Sequence, residues 1–357
     1  MSTLKQVARL AGVSIGTVSH VISGSVPVSE ALRSRVQGAI SELDYHPNHI
    51  ARSLRKRKTF TIGIIVPDMT IPFYPQVIRG AEALAMSRGY SLIAVNSGDE
   101  CKRQDDMLSL FRAHRCDGVM LAITSGNSSA LQIMRTIASG ARMVCVDRIP
   151  DGLQIDSVSV DDLGAAKLGV SHLIERGHRR IAMITGSLAL RNERERVMGW
   201  RKAMSSARLD APAELIWESS FKIDEVAALC SERLAACSPR PTALFCSNGA
   251  TALGVLKALG DEGLRTPDDI AFATFDELVP EDVFRLSLTT VVQPAYQIGS
   301  EAARLLIDRI NEKSSKEKST KPEQMSLRFP AELRVGDSSR LVAPRNLIQP
   351  GRVAFKN

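Results

Sequence analysis

From Thr61 onward the chain alternates short apolar runs with segments of helix length, and this alternation limits the possible folds more than any other feature. Runs rich in aliphatic residues predict strands that are buried on both faces, as in parallel sheets flanked by helices. The predicted strands are residues 61–66, 90–95, 118–122, 142–146, 181–184, 243–246 and 270–273. At roughly 100 to 200 residues per domain, this part of the chain has the length of an α/β core with two doubly wound lobes.

The first 60 residues form a second, basic region. They hold nine Lys and Arg against three Asp and Glu, whereas the whole chain holds 46 against 39 and has a formal net charge of +7. Nearly all of the surplus positive charge therefore lies in one small module. A basic module on a nearly neutral body is typical of a nucleic-acid-binding domain joined to another domain.

Helix signals fall at three places in this basic region. Thr3 and Gln6 have capping-box spacing and begin a helix that Gly12 ends. After the tight turn, Ser14 caps a second helix whose apolar side chains face inward. A third helix begins near Ser29. The pattern predicts an all-α N-terminal head that contains a helix-turn-helix.

Periodicity alone leaves a generic three-helix unit open, but a string of short motifs is far more specific. The motifs are Lys5-Gln6-Val7-Ala8, Ala11-Gly12-Val13-Ser14, Thr17-Val18-Ser19, Val28-Ser29, Tyr45-His46-Pro47-Asn48 and Ala51-Arg52-Ser53-Leu54. Together they closely resemble the lactose-repressor/galactose-repressor (LacI/GalR) family of transcriptional regulators. By this resemblance, the second helix enters the DNA major groove, where side chains near its N-terminus read base edges.

The resemblance implies two sets of DNA-contacting positions on the second helix. The base-reading positions hold Ile15, Gly16 and His20, and the phosphate-contacting positions hold Ser14, Thr17 and Ser19. Many family members carry Arg where His20 stands. Arg bonds bidentately to guanine, whereas His offers one donor or acceptor per ring nitrogen. Since Gly16 has no side chain, we expect His20 and Ile15 to dominate the choice of DNA sequence.

The stretch that follows the head supports two interpretations. Residues 48–54 are too few to form a stable helix alone in water, and a charge run such as residues 55–58 is usually a solvated linker. The resemblance implies instead a hinge helix that orders on DNA and pairs with its counterpart from a second protomer in the minor groove. It places Asn48 at the helix start, Ala51 between the two helices and Leu54 as a wedge between base pairs.

The resemblance extends through the body of the chain to about Ser339. The matching strings are Ile62-Gly63, Val66-Pro67-Asp68, Pro72-Phe73-Tyr74, Val146-Asp147-Arg148, Gly177-His178-Arg179-Arg180-Ile181, Arg194-Glu195-Arg196, Ser247-Asn248, Phe275-Asp276 and Leu288-Thr289-Thr290-Val291. The family's core is similar to the periplasmic sugar-binding proteins, which hold a small molecule between two lobes. The resulting organisation is a DNA-binding head (1–46), a hinge helix and linker (47–60), an effector-binding and dimerisation core (61–340) and a basic tail (341–357).

Ligands of open α/β sheets lie beyond the carboxyl ends of the strands. The candidates that follow predicted strands are Asp68, Phe73, Tyr74, Arg148, Asn248 and Asp276, and the family match adds Arg196 and Phe221. Asp276 is the strongest candidate, because a carboxylate there accepts hydrogen bonds from neighbouring hydroxyls. The arginines are candidate donors, and the aromatic rings are a candidate apolar wall. The alternatives are an Asp276 that pairs with an arginine and aromatic rings that only fill the core.

One departure from the family concerns the ligand. Many relatives have Asp after Ser-Asn in the second lobe, whereas this chain has Gly249. A sugar, sugar acid or polyol is the favoured effector class, and a nucleobase stays open. The loss of that carboxylate also leaves open a DNA-binding regulator whose core responds to no effector.

These features favour a repressor that acts as a homodimer, or as a tetramer, on double-stranded pseudo-palindromic DNA and that binds a small-molecule effector. A small-molecule-binding protein without DNA function is the remaining alternative. Neither a cofactor nor a metal is expected, because the sequence lacks the corresponding signatures. The GxSxG string at residues 12–16 joins two predicted helices, which argues against an enzyme. Without a signal peptide or a membrane-length apolar stretch, a cytoplasmic location away from membranes is expected.

We predict that Leu54→Ala weakens specific operator binding more than non-specific DNA binding. A wedge contributes only where the DNA kinks, and opening a base step costs roughly a few kcal/mol that the contacts of the bent complex offset. Fluorescence anisotropy with a selected operator and with a random duplex, at one salt concentration, measures both affinities. An equal loss on the two DNAs would contradict the wedge.

Overall fold

The computed structural model describes residues 3–23, 26–45, 58–126, 130–278, 287–312 and 323–340. The chain divides into two units, residues 1–59 and residues 60–357. The predicted hinge residues Asn48, Ala51 and Leu54 and the tail at 341–357 lie outside the described residues, so their roles stay predictions.

The described part of the first unit contains three helices around a small core. They are α1 (Leu4–Leu10), α2 (Ile15–Ser23) and α3 (Glu30–Glu42). The capping box is present: the Thr3 N–H donates to Gln6 Oε1 at 2.7 Å, and the Gln6 N–H donates to Thr3 Oγ1 at 3.3 Å. Val7, Val18 and Val36, one from each helix, are fully buried. The predicted helical head is confirmed.

The turn between α1 and α2 depends on Gly12. Its φ of +63° lies in the left-handed region, and a Cβ there would come within 2.8 Å of Arg35 Nη2. Arg35, on α3, donates from Nη2 to the Ala11 carbonyl at 2.6 Å and so fixes the turn. Ser14 Oγ then accepts the Thr17 N–H at 3.0 Å and caps α2. The serine of the GxSxG string therefore follows a helix and not a strand.

Two six-stranded sheets form the second unit. Its strands are β1 (Thr61–Val66), β2 (Ser91–Asn96), β3 (Gly118–Leu121), β4 (Arg142–Val146), β5 (Asp156–Val160), β6 (Ile181–Thr185), β7 (Ile216–Glu218), β8 (Ala243–Cys246), β9 (Ala271–Phe275), β10 (Thr289–Val292), β11 (Ser326–Phe329) and β12 (Glu332–Arg334). The first sheet has the order β11-β5-β4-β3-β1-β2, and the second has the order β12-β10-β9-β8-β6-β7. Among these strands, β10 and β12 are the antiparallel neighbours and the other pairs are parallel.

Helices cover both faces of each sheet. They are α4 (Phe73–Ser87), α5 (Cys101–Ala113), α6 (Ala130–Ala138), α7 (Asp162–Glu175), α8 (Arg191–Ser206), α9 (Ile223–Ala236), α10 (Gly249–Asp261) and α11 (Ala295–Asn311). The first lobe consists of the first sheet with α4, α5, α6 and α11, and the second lobe consists of the second sheet with α7 to α10. Each lobe is doubly wound, which confirms the predicted fold class.

Three short segments connect the two lobes. The chain crosses from β5 to α7, returns from β10 to α11, and crosses again from β11 to β12. Every crossing lies at the edge of the sheets that holds β11 in the first lobe and β12 in the second. The strands β2 and β7 therefore form the opposite edges of the two sheets, far from the crossings. The carboxyl ends of both parallel sheets consequently border one cleft.

All seven predicted strands are present, with ends shifted by up to two residues. The expectation that each is covered on both faces is wrong for β2, where Ile93 is 42% exposed. An apolar run does not reveal whether its strand lies at the centre or at the edge of a sheet. No helix in the described part of the chain is long and apolar enough to cross a membrane.

We predict that Gly12→Ala destabilises the three-helix head by about 1–2 kcal/mol or more, the cost of a left-handed backbone for a residue with a Cβ. Gly38→Ala is the matched control. Gly38 lies within α3 with open space where a Cβ would stand, so we expect that substitution to stabilise the head by up to about 1 kcal/mol.

Hydrogen exchange of the amides of α1 to α3 in the full-length protein measures both changes. Exchange should become faster in Gly12→Ala and slower in Gly38→Ala. Unchanged protection in Gly12→Ala would show that the turn does not need glycine.

Candidate functional site

An inner cavity of about 20 Å³ lies between the two lobes, beyond the carboxyl ends of their strands. Seven of the eight predicted effector residues line it, namely Phe73, Tyr74, Arg148, Arg196, Phe221, Asn248 and Asp276. Five further lining residues were not predicted, namely Ile71, Asp147, Asn192, Glu193 and Gln293. The structure thus brings together side chains from both lobes that are up to 222 residues apart in the sequence.

The remaining candidate, Asp68, lies in an outer cavity of about 820 Å³ nearer the far edges of the sheets. Asp68 Oδ1 accepts both the N–H and the hydroxyl of Thr70 at 2.8 Å, which shapes the loop after β1. Ile71, Arg148 and Phe221 border both the inner and the outer cavity. Asp68 therefore shares the outer cavity with two other candidates, Arg148 and Phe221, but does not line the inner cavity.

Arg196 on α8 is one of the two buried cations that line the inner cavity, the other being Arg148. Its Nε donates to Asp162 Oδ1 at 2.7 Å, and its Nη1 donates to the Ser247 carbonyl at 2.6 Å. Oxygens of Glu193 and Asp147 lie 3.7 Å from Nη1 and Nη2. Burial lowers the pKa of Arg196, but these carboxylates, led by Asp162, outweigh it and raise the pKa above its ordinary value. Since Asp147 belongs to the first lobe, this charge cluster joins the two lobes.

Asp276 follows β9 with a left-handed backbone, at a φ of +66°. Gln293 Nε2 donates to Asp276 Oδ1 at 2.8 Å, and the Gly249 N–H lies 3.4 Å from Oδ2. Burial raises the pKa of the Asp276 carboxyl to about 6, although Arg196 opposes the rise. Because both donors are neutral, the carboxylate keeps acceptor capacity for ligand hydroxyls.

Gly249 changes the surroundings of Asp276. A Cβ at this position would stand 3.8 Å from the Asp276 Cβ and 3.3 Å from Leu278 Cδ2. An Asp here would therefore place a second carboxylate beside Asp276. Glycine leaves one carboxylate at this end of the cavity.

Glu193 is a buried carboxylate that orders the second lobe's side of the cavity. Its Oε2 accepts the Thr185 hydroxyl at 2.8 Å, the Gly186 N–H at 3.0 Å and the Ser247 hydroxyl. Its Oε1 accepts Asn248 Nδ2 at 3.1 Å. Asn248 in turn caps α10 by accepting the Thr251 N–H at 2.9 Å. Glu193 therefore fixes Asn248 at the edge of the cavity.

On the first lobe's side, Tyr74 and Arg148 are the corresponding polar groups. The Tyr74 hydroxyl donates to Asp147 Oδ2 at 2.9 Å, and burial raises the pKa of Tyr74 well above its ordinary value. Arg148 Nη1 donates to Asp99 Oδ1 at 2.8 Å, and its guanidinium carbon lies 4.3 Å from the centre of the Phe221 ring. Both arginines are thus already paired with carboxylates.

Three buried polar atoms around the inner cavity have no hydrogen-bond partner among the described residues. They are Arg196 Nη2, Asn192 Oδ1 and Gln293 Oε1. Leaving a buried polar group unsatisfied costs about 1–3 kcal/mol, so water or a polar ligand is needed to complete three such atoms at one cavity. The guanidinium donates and the amide oxygens accept, so the ligand must offer both acceptors and donors, as hydroxyl groups do.

The second predicted surface lies on α2 of the head. Ile15 is 48% exposed at the start of this helix, and Gly16 and His20 are exposed as well. Ser14 and Thr17 share a hydrogen bond of 2.9 Å at the helix N-terminus. This exposure leaves the Ile15 side chain accessible for contact with a thymine methyl. The DNA contacts of these residues stay predictions.

Comparison with known proteins identifies the family. Residues 3–48 match the bacterial regulatory proteins of the lacI family, and residues 170–339 match a periplasmic binding protein-like domain. The chain is 36% identical to the HTH-type transcriptional repressor PurR of Vibrio atlanticus (strain LGP32) over 313 residues, which cover 88% of this chain and 93% of that protein. The chain belongs to the LacI family of bacterial regulatory proteins. The resemblance identified in the sequence is confirmed.

Two further similarities extend this assignment. The LacI-family chain is 37% identical to the ribose operon repressor of Escherichia coli (strain K12) over 316 residues, which cover 87% of this chain and 94% of that one. Its fold matches the transcriptional regulator CelR in complex with cellobiose at a TM-score of 0.69 and 31% identity, over 95% of this chain and 100% of that chain. The protein is a DNA-binding transcriptional regulator of the repressor type.

We predict that the free energy of unfolding falls, through Asp276, as the pH rises from about 4 to about 6. The pKa of this carboxyl is about 6 in the folded protein and 3.8 in its ordinary state. The folded protein therefore keeps a proton in this window that the unfolded chain releases, so folding becomes less favourable as the pH rises. The full effect is up to about 3 kcal/mol.

Urea unfolding of wild type and Asp276→Asn from pH 4 to pH 7.5 isolates this contribution as the difference between the two proteins. Asparagine carries no ionisation cost, so its stability relative to wild type should rise across the window. Parallel stability profiles would contradict the assigned pKa.

Proposed function

We propose that this regulator is a repressor whose affinity for operator DNA is controlled by a neutral sugar or polyol bound between the lobes, where the inner cavity adjoins, at Phe73, Asp276 and Gln293, a space of about 770 Å³. The observation that carries the proposal is the joint presence of the Asp276 carboxylate and the three unsatisfied polar atoms of Arg196, Asn192 and Gln293 at one buried site. Vicinal hydroxyls donate to carboxylates and accept from guanidinium groups in the same ligand.

The charge balance of the cavity favours a neutral ligand. Arg196 is surrounded by Asp162, Glu193 and Asp147, and Arg148 is paired with Asp99. Neither cation is left to neutralise a ligand's carboxylate or phosphate, and burying an uncompensated charge is costly. Among the effector classes that the sequence favours, the sugar acid therefore ranks below a neutral sugar or polyol.

The apolar groups of the cavity fit a sugar ring. Phe73 and Phe221 line it from opposite lobes, and the C–H face of a sugar packs on such aromatic surfaces while its hydroxyls bind the polar groups. The relatives support the same class, since one is a ribose operon repressor and another is a regulator in complex with cellobiose.

On the DNA side, we propose that the basic head binds double-stranded DNA through α2, with Ile15 and His20 reading bases. Two heads of a homodimer would bind a pseudo-palindromic operator, in keeping with two-fold symmetry. A repressor acts where its DNA is, so we propose a cytoplasmic location. The polar groups of the cavity would bind and release the effector without chemical change.

Thermal unfolding of the full chain with a panel of sugars, sugar acids, polyols and nucleobases tests the proposal, because a ligand that binds the folded state raises the unfolding midpoint. We predict a rise with a neutral sugar or polyol, at least tenfold weaker binding (about 1.4 kcal/mol) in Asp276→Ala, and an unchanged response in Asp261→Ala. Asp261 is the control because it pairs with Lys257 on the outer surface of the same lobe.

Each other outcome has a definite meaning. A hit only with sugar acids would contradict the charge argument, and a hit only with nucleobases would replace the ligand class. A neutral sugar that binds Asp276→Ala as tightly as wild type would place its site outside the inner cavity. Silence across the panel would favour a regulator whose core responds to no effector of these classes.

A further inference from the structure

The third crossing between the lobes ends in a segment that is embedded in the second lobe. After β12 the chain continues through residues 336–340, which include a 3₁₀ turn at Asp337–Ser339. Ser338 is fully buried in this turn, and its hydroxyl donates to the Phe272 carbonyl at 2.7 Å and accepts the Thr289 N–H at 2.8 Å. We refer to residues 336–340 as the anchor segment, because they fix the end of the crossing to β9 and β10.

Two histidines of the second lobe pack against the anchor segment. His172 on α7 contacts it directly: its Nε2 lies 2.8 Å from the Ser339 hydroxyl, which also accepts the Thr289 hydroxyl at 2.7 Å. His178, in the loop before β6, is 2% exposed, and its Nδ1 lies 3.1 Å from the Thr242 hydroxyl. The two rings are near enough to each other for their charges to interact.

The second ring nitrogen of His178 lies in an unusual environment. His178 Nε2 is buried and has no hydrogen-bond partner among the described residues. The ring also faces the main chain of Ser339 and Arg340. The anchor segment therefore helps to close this nitrogen off from water.

Burial opposes a positive charge on either ring. It is the largest influence on both, and it lowers the pKa of His172 and of His178 below the ordinary value of 6.5. Weaker influences act both ways: Glu175 and the main chain of the anchor segment favour protonation, whereas Arg176 and the interaction between the rings oppose it. The charged residues on the segments packed against the pair are Glu175, Arg176, Arg179, Arg180, Asp337 and Arg340. Both histidines are therefore neutral at pH 7.5 while the anchor segment is in place.

We propose that His172 and His178 act as a pH-sensitive switch that releases the anchor segment from the second lobe on acidification. When the segment leaves its site, water reaches both rings and each takes up a proton at its ordinary pKa. The histidines therefore stabilise the attached state above pH 6.5, and this contribution is lost as the pH falls below 6.5. Because the anchor segment ends the third crossing, its release loosens one of the three connections between the lobes.

Three amides of the anchor segment report its position. The Gly336 N–H donates to Thr289 Oγ1 at 3.0 Å. The Asp337 N–H donates to Ser287 Oγ at 2.9 Å, and the Ser338 N–H donates to the Ser287 carbonyl at 3.1 Å. All three acceptors lie on the second lobe, so release of the segment exposes these amides to exchange with solvent.

Hydrogen exchange of the full chain at pH 5.5 and pH 7.5 tests the switch. Rates are corrected for the intrinsic pH dependence of amide exchange, so protection factors are compared. The proteins are wild type, the double variant His172→Gln/His178→Asn, and His114→Gln. The introduced amides stand where Nε2 of His172 and Nδ1 of His178 make their contacts, and neither amide titrates. His114 is the matched control, because it is exposed and follows α5 in the first lobe.

We expect the protection factors of the three amides in wild type to fall about 10- to 100-fold from pH 7.5 to pH 5.5, since each histidine with a pKa of 6.5 in the released state contributes up to about tenfold. The fall should be lost in the double variant and kept in His114→Gln. Equal protection at both pH values in wild type would overturn the switch, and so would an equal fall in the double variant. An equal loss of protection in α5 would also overturn it, because the opening would then be general unfolding.

If the double variant does not fold, the single variants His172→Gln and His178→Asn replace it. Each should show a smaller fall in protection than wild type, because each keeps one titrating ring. An undiminished fall in both single variants would overturn the switch.

Discussion

The buried charge of Arg196 is the constraint around which the core is built. A guanidinium that is 2% exposed must be surrounded by hydrogen-bond acceptors and negative charge, and Asp162, Glu193 and Asp147 supply them from three separate segments. Removing one partner of a buried ion pair typically costs about 3–5 kcal/mol. Because Asp147 comes from the first lobe, the charge cluster favours the arrangement in which the lobes are closed.

The same cluster explains how a small ligand could alter the balance between lobe arrangements. The carboxylates outnumber the cations, and Nη2 of Arg196 is left without a hydrogen-bond partner among the described residues, so the closed cleft is satisfied only in part. A hydroxylated ligand in the cleft supplies the missing hydrogen-bond partners, and it contacts polar groups of both lobes. A ligand shifts such an equilibrium only by its difference in affinity for the two states, and contacts to both lobes give that difference.

The sequence predicts the parts of this structure that depend on local pattern. Capped helices such as α1 and apolar strands such as β1 are found where their signals lie, and residues directly after predicted strands, such as Asp276, reach the cavity. Gln293 was missed because it follows β10, whose Thr-rich run resembles a surface segment. Glu193 lies inside a polar helix, where only its tertiary contacts distinguish it from a solvated residue. The contact between Arg148 and Phe221 joins distant loops, and no spacing in the sequence encodes it.

The central claim is that effector binding in the cleft is coupled to DNA binding by the head. The most direct test measures the affinity of the full chain for operator DNA with and without the sugar that raises the unfolding midpoint. The coupling must be reciprocal, so the factor by which the sugar changes operator affinity must equal the factor by which operator changes sugar affinity. We predict the same factor in both titrations, about 5- to 150-fold, and its loss in Asp276→Asn. A sugar that binds the cleft and leaves operator affinity unchanged would contradict the account.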